Sequence, residues 1–96
     1  MGRTNDKPLK EVIDELLRVY KLRRKYDETA LIQAWPDVIG VAIANRTSKI
    51  YIRDRKLFVQ LESSVIRNEL MMMRSHILER MNEIAGSKVI DEVILV

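Results

Sequence analysis

Residues 48–62 constrain the fold more than any other stretch. Ser48–Arg53 and Leu57–Glu62 each alternate apolar with polar side chains, and Asp54-Arg55-Lys56 lies between them. That is the pattern of a β-hairpin with a three-residue turn. Alternation puts Ile50, Ile52, Leu57, Val59 and Leu61 on one face and Lys49, Tyr51, Arg53, Phe58 and Gln60 on the other. The turn lacks glycine, so a left-handed residue in it carries about 1–2 kcal/mol of strain.

A hairpin of this length needs other elements against its apolar face, and the flanking sequence supplies helices. Residues 1–7 show no apolar periodicity and read as a flexible arm, leaving 8–96 as a single domain. From Pro8, the residues Leu9, Val12, Ile13, Leu16, Leu17 and Tyr20 recur at helical spacing in a leading helix over 9–25. Its acids come early and Lys21, Arg23, Arg24 and Lys25 come late, which complements the helix dipole. Asp27 caps a second helix, and Trp35-Pro36 breaks it because the residue before proline avoids the α region. A short third helix runs from Asp37 to about Ala44 with Gly40 inside it, and Asn45 stops it.

After the hairpin, Ser63 or Ser64 caps a long helix that ends at Ala85 before Gly86. Ile66, Leu70, Met73, Ile77, Met81 and Ile84 form its core face. Lys88–Val96 then forms a last apolar strand, interrupted by Asp91-Glu92. The expected fold is therefore α/β (α+β), in the order α-α-β-β-α-β once the short helix is set aside. It has a three-stranded sheet with helices packed on one side. Trp35, Pro36, Gly40 and Gly86 are structural residues, with the Trp35 ring plugging the junction of the first two helices with the sheet.

The chain offers little for catalysis. It has no cysteine and one histidine, and its three glycines are too scattered to cradle a phosphate. His76 falls at the edge of a core helix face, the usual place for a histidine without catalytic duty. Asp91 and Glu92 are neighbours in an expected strand, so they point to opposite faces and form no dyad. An enzyme, a metal site and a cofactor are not expected. No apolar run or leader pattern points to a membrane, so a cytoplasmic protein is the default.

Three surfaces suit binding. Residues 1–26 hold eight Lys/Arg against four Asp/Glu. In that basic region Arg18, Lys21, Arg23, Arg24 and Lys25 could meet a polyanion, or serve as a solvated helix face. On the outer sheet face, Lys49, Tyr51, Arg53 and Phe58 combine base-stacking rings with phosphate-binding cations. Ile90, Ile94 and Val96 would share that face of the last strand, so a helix or another subunit could equally cover it. The third surface is the stripe Arg67, Met71, Arg74 and Leu78 on the long helix, which mixes cations with adaptable apolar groups as a protein interface does.

From Trp35 onward an ordered series of segments resembles the DciA family of bacterial replicative-helicase loaders. The segments are Trp35-Pro36-Asp37-Val38-Ile39-Gly40, Ile43 to Thr47, Lys56 to Leu61, Ser63 to Leu70, Ile77 to Asn82, Gly86, and Val89 to Ile94. The leading helix also fits. The resemblance implies a domain similar to the K-homology fold that binds a DnaB-type helicase and assists its loading on single-stranded DNA, without nucleotide hydrolysis. No glycine pair here has the GxxG spacing of a K-homology backbone clamp. With clustered positive charge and no base-reading motif, nucleic-acid binding is expected to be weak, only mildly sequence-selective and salt-dependent. The alternatives are a general K-homology-like RNA- or DNA-binding module and a structural homodimerisation domain.

Overall fold

The computed structural model describes residues 6–96. In chain order the elements are α1 (Asp6–Val19), α2 (Arg23–Gln33), α3 (Trp35–Ile39), α4 (Val41–Ala44), β1 (Thr47–Arg53), β2 (Lys56–Leu61), α5 (Ser64–Met72), α6 (Arg74–Ala85) and β3 (Glu92–Leu95). Residues 1–5 of the expected arm lie outside the described residues, and Asp6 and Lys7 are already helical.

The hairpin forms, with a tighter turn than expected. Arg53 pairs with Lys56, so the turn is the two residues Asp54 and Arg55, with φ of 53° and 63°. Two successive left-handed residues match the natural twist of paired strands. The strain at Arg55 is offset by anchoring. Its guanidinium donates to both carboxylate oxygens of Asp91 at 2.9 and 3.0 Å and to the Lys88 carbonyl at 2.8 Å. Its own carbonyl accepts from the Asp91 N–H at 2.7 Å. The Arg55 hydrogen bond holds the Asp91 carboxyl below the usual carboxylate range.

β1 and β2 are antiparallel, β2 and β3 are parallel, and the order is β1-β2-β3. The parallel pair requires a crossover, which α5 and α6 provide. The expected long helix is broken. Ser63 caps α5 by accepting from the Ile66 N–H, but Met73 leaves helical geometry (φ −106°, ψ 10°) and α6 starts at Arg74. Leu70, Ile77 and Met81 are buried as expected and Ile66 packs against the core, whereas Met73, at the break, and Ile84, in the last turn of α6, are exposed. Gly86 ends α6 in the left-handed region at φ 78°.

The last strand is shorter than expected, covering only 92–95. The Asn82 amide shapes the segment before it, accepting from the Val89 and Ile90 N–H groups and donating to the Ile90 carbonyl. This turns Ile90 into the core, fully buried, instead of onto the outer sheet face. Asp91 precedes the strand and pairs with Arg55, so the expected opposition of Asp91 and Glu92 across one strand does not arise.

Before the hairpin, the third helix divides at Gly40, whose φ of 95° and ψ of 149° suit only glycine. Asn45 follows α4 as its cap. Trp35 is buried at the start of α3, with its indole N–H donating to Thr47 Oγ1 at 3.0 Å. The Thr47 hydroxyl donates onward to the Ile43 carbonyl, tying α3, α4 and β1 together. The core joins Leu31, Trp35, Leu57, Val59, Leu70, Ile77, Met81, Ile90 and Val93 between the helices and one sheet face. Each fully buried aliphatic side chain there contributes roughly 1.5–3 kcal/mol.

α1 ends earlier than the sequence suggests. Lys21 is left-handed (φ 58°), and the Leu22 and Lys21 N–H groups return to the Leu17 and Arg18 carbonyls. That double bond pattern is a Schellman stop. Arg23, Arg24 and Lys25 therefore open α2 rather than closing α1, and Asp27 lies within α2 instead of capping it. Cations at a helix N-terminus oppose the dipole, and here acidic side chains compensate.

Candidate nucleic-acid and partner interface

The parallel and antiparallel registers assemble the outer sheet face in rows. Arg53, Lys56 and Glu92 lie side by side, and so do Tyr51, Phe58 and Ile94. Lys49 and Gln60 form the next pair. Tyr51 and Phe58 stack across the strands with ring centres 4.9 Å apart and planes 7° from parallel. The Lys49 ammonium and the Arg53 guanidinium stand 5.4 and 5.9 Å from the Tyr51 ring centre, within cation–π range. Among the described residues, Lys49, Arg53 and Lys56 make no ion pair, while Tyr51, Phe58 and Ile94 remain partly exposed. With Ile90 withdrawn into the core, this face is less apolar than the sequence implied.

The basic cluster of the first two helices has a different character. Arg18 pairs with Glu15, and Arg24 with Glu28 at 3.2 Å. Arg23 binds Asp14 at 2.7 Å, reaches Asp27 at 3.7 Å and lies over the Tyr26 ring. The Asp14 hydrogen bond raises the Arg23 pKa further above its ordinary value. Lys21 and Lys25 are exposed. Much of the positive charge that stood out in the sequence is thus already matched within the chain.

The stripe Arg67, Met71, Arg74 and Leu78 is divided by the break at Met73. Met71 and Arg74 are exposed, Arg67 is partly so, and Leu78 packs against the core. Met72, the most exposed of the large apolar side chains here, extends the Met71 surface. His76 is exposed on α6 rather than at a core edge. Sequence reasoning missed Thr47, Arg55, Asn82 and Asp91, which hold the scaffold beneath these surfaces. An asparagine four residues before the helix-ending glycine was the one visible hint, since asparagine is a poor helix former.

Among the described residues no group of three or more His, Asp or Glu side chains could hold a metal ion. None of the described helices is long and apolar enough to cross a membrane.

The model of the DciA family, described as Dna[CI] antecedent, matches residues 8–95. The chain belongs to the DciA family. Trp35, the Gly40 break, the hairpin, the α5–α6 crossover and Gly86 all fall inside the matched span. This DciA-family chain is also similar to a UPF0232 protein of Corynebacterium glutamicum (strain R), 34% identical over 59 residues. That match covers 62% of the chain and 33% of the relative, so it spans about a third of the relative's length.

Proposed function

We infer that this DciA-family chain is a non-enzymatic, cytoplasmic DNA-replication accessory module. In this reading it binds a DnaB-type replicative helicase and assists its loading on single-stranded DNA. The family match over residues 8–95 carries the helicase assignment. The stacked Tyr51–Phe58 pair, bordered by Lys49, Arg53 and Lys56, supports the outer sheet face as the nucleic-acid contact.

The chemistry is that of a stacking platform. Bases stack on the exposed parts of the rings while neighbouring cations meet the phosphates. Three cations give a salt slope of about −2 for single strands, in keeping with weak binding. Likeness to the K-homology fold belongs to the same reading, resting on the three-stranded mixed sheet with helices alongside it. Without a GxxG clamp, the sheet takes over the nucleic-acid contact.

For the helicase we assign the α5–α6 junction, where Met71 and Met72 are exposed beside Arg67 and Arg74. Leu78 supports this surface from the core side. Calorimetric titration of the helicase with the chain should give heat without ATP or DNA, and the chain should raise helicase occupancy on single-stranded DNA. Met71→Asp with Met72→Asp should abolish the heat while leaving the melting temperature within a few degrees. Absence of heat with the unaltered chain, alongside persistent single-stranded DNA binding, would favour the general nucleic-acid module.

A further inference from the structure

The stacked pair on the outer sheet face leaves one ring surface for a base. Tyr51 and Phe58 face each other across β1 and β2, with centres 4.9 Å apart and planes only 7° from parallel. That separation matches the distance between neighbouring strands, so both rings stand upright on the sheet. Each ring therefore covers one face of the other. Phe58 has Ile94 on its other side, its neighbour in the register with β3. Beyond Tyr51 there is no further strand, because β1 is the edge of the sheet. The Lys49 ammonium and Arg53 guanidinium stand over Tyr51 at 5.4 and 5.9 Å from its centre, and among the described residues neither stands over Phe58. Both cations thus lie on the edge-facing side of Tyr51.

We propose that one unpaired nucleotide inserts its base at this edge, against the outward face of Tyr51, and continues the row Ile94–Phe58–Tyr51. The proposal rests on the outer-face reading above and gives the two rings unequal roles. Tyr51 touches the base, and Phe58 is a positioning residue that holds the Tyr51 ring upright from behind. Lys49 and Arg53 lie two residues before and after Tyr51, so they flank the inserted nucleotide along the strand. Both are exposed, and neither has an ion pair among the described residues. An exposed cation–π contact is weak. Each side chain can therefore swing from the ring to the phosphate on its own side of the nucleotide. A duplex must first unstack a base to fit, which selects single strands. Every base offers a π face, so the site tolerates any of them.

Anisotropy titration of the full chain with a labelled oligothymidylate, and with an equally long strand of abasic deoxyribose phosphates, tests the insertion. The unaltered chain is expected to bind the thymidylate about tenfold more tightly, through one stacked base. Tyr51→Leu should erase that preference and Tyr51→Phe should keep it. Tyr51→Val replaces Tyr51→Leu in the same comparison if leucine unsettles the strand. Phe58→Leu should keep the larger part of the preference, since leucine still backs the tyrosine. Lys49→Gln and Arg53→Gln should weaken both strands alike, each lowering the salt slope by about 0.7. Melting curves that match the unaltered chain show each variant to be folded. A loss in Phe58→Leu as large as that in Tyr51→Leu overturns the edge assignment. So does a folded Tyr51→Leu chain that still prefers the thymidylate. Equal binding of both strands by the unaltered chain overturns the insertion and leaves a phosphate contact on the outer face. Binding of neither strand at low salt ends the outer-face reading itself, and the insertion with it.

Discussion

The sheet body and α1 are built from equally regular apolar patterns, yet one pattern is buried and the other is open. Leu57 and Val59 on β2, Ile77 and Met81 on α6 and Val93 on β3 are at most 1% exposed. Leu9, Leu16 and Val19 on α1 are at least half exposed. The body closes on itself because the crossover returns β3 beside β2 and brings α6 over the sheet. The left-handed turn at Lys21 sends α1 away, and its contacts with the rest of the fold run chiefly through α2. Periodicity thus establishes that a helix is amphipathic, while the covering of its apolar face depends on where the preceding or following turn points it.

The sharpest way to break this comparison is to remove large apolar side chains from each region in turn. Trp35→Ala should cost about 3–5 kcal/mol, since it empties a buried site and strands the Thr47 hydroxyl contact. Val12→Ser with Leu16→Ser on α1 should change the unfolding free energy of the dilute protein by about 0.5 kcal/mol or less. Urea unfolding measures both. Equal losses would mean that α1 is part of the core.

A smaller effect is expected at Asn82, whose amide satisfies three backbone groups at the entry to β3. Asn82→Ala should cost about 2 kcal/mol by leaving them unpaired. Amide exchange at Val89 and Ile90 should accelerate well before exchange in β2 does. Uniform acceleration across the whole sheet would show that this segment is not a separate fastening.

Smallest of all is the pH response of the Arg55–Asp91 anchor. The Asp91 pKa is lowered in the folded chain, so its contribution is present above the unfolded value and is lost as pH falls through the folded one. At neutral pH Asp91→Asn should melt slightly below the unaltered chain. That gap should close as the pH drops below the usual carboxylate range. A gap that is constant with pH would show that the pairing charge contributes nothing. The anchor is exposed, so a shift of a few degrees at most is expected.

Local chemistry made much of this fold legible. The hairpin alternation, Ser63 capping α5, Gly86 after α6 and the buried Trp35 all follow from side-chain pattern or backbone preference at single positions. Long-range partners determined what was missed. Arg55 occupies a left-handed position because Asp91, 36 residues later, holds it. Ile90 turns inward because Asn82 captures its backbone. The break at Met73 has no glycine or proline to announce it, and it leaves Met73 at the solvent. The outer-face residues Lys49, Tyr51, Arg53 and Phe58 were readable because strand alternation alone brings them together. The basic run at 23–25 was visible too, but its ion pairs with Asp14, Asp27 and Glu28 depend on how α1 meets α2.

The central claim is that the sheet body meets nucleic acid through its outer face. The most direct measurement is an anisotropy titration of a labelled single-stranded oligonucleotide against the unaltered chain and Tyr51→Leu with Phe58→Leu. Leucine keeps apolar cover over the strands and removes the stacking rings, so a matching melting curve will certify the fold. Loss of base stacking, worth about 1–3 kcal/mol per base, should raise Kd about tenfold or more. A folded variant that binds as tightly as the unaltered chain would contradict the account and move the contact off the sheet.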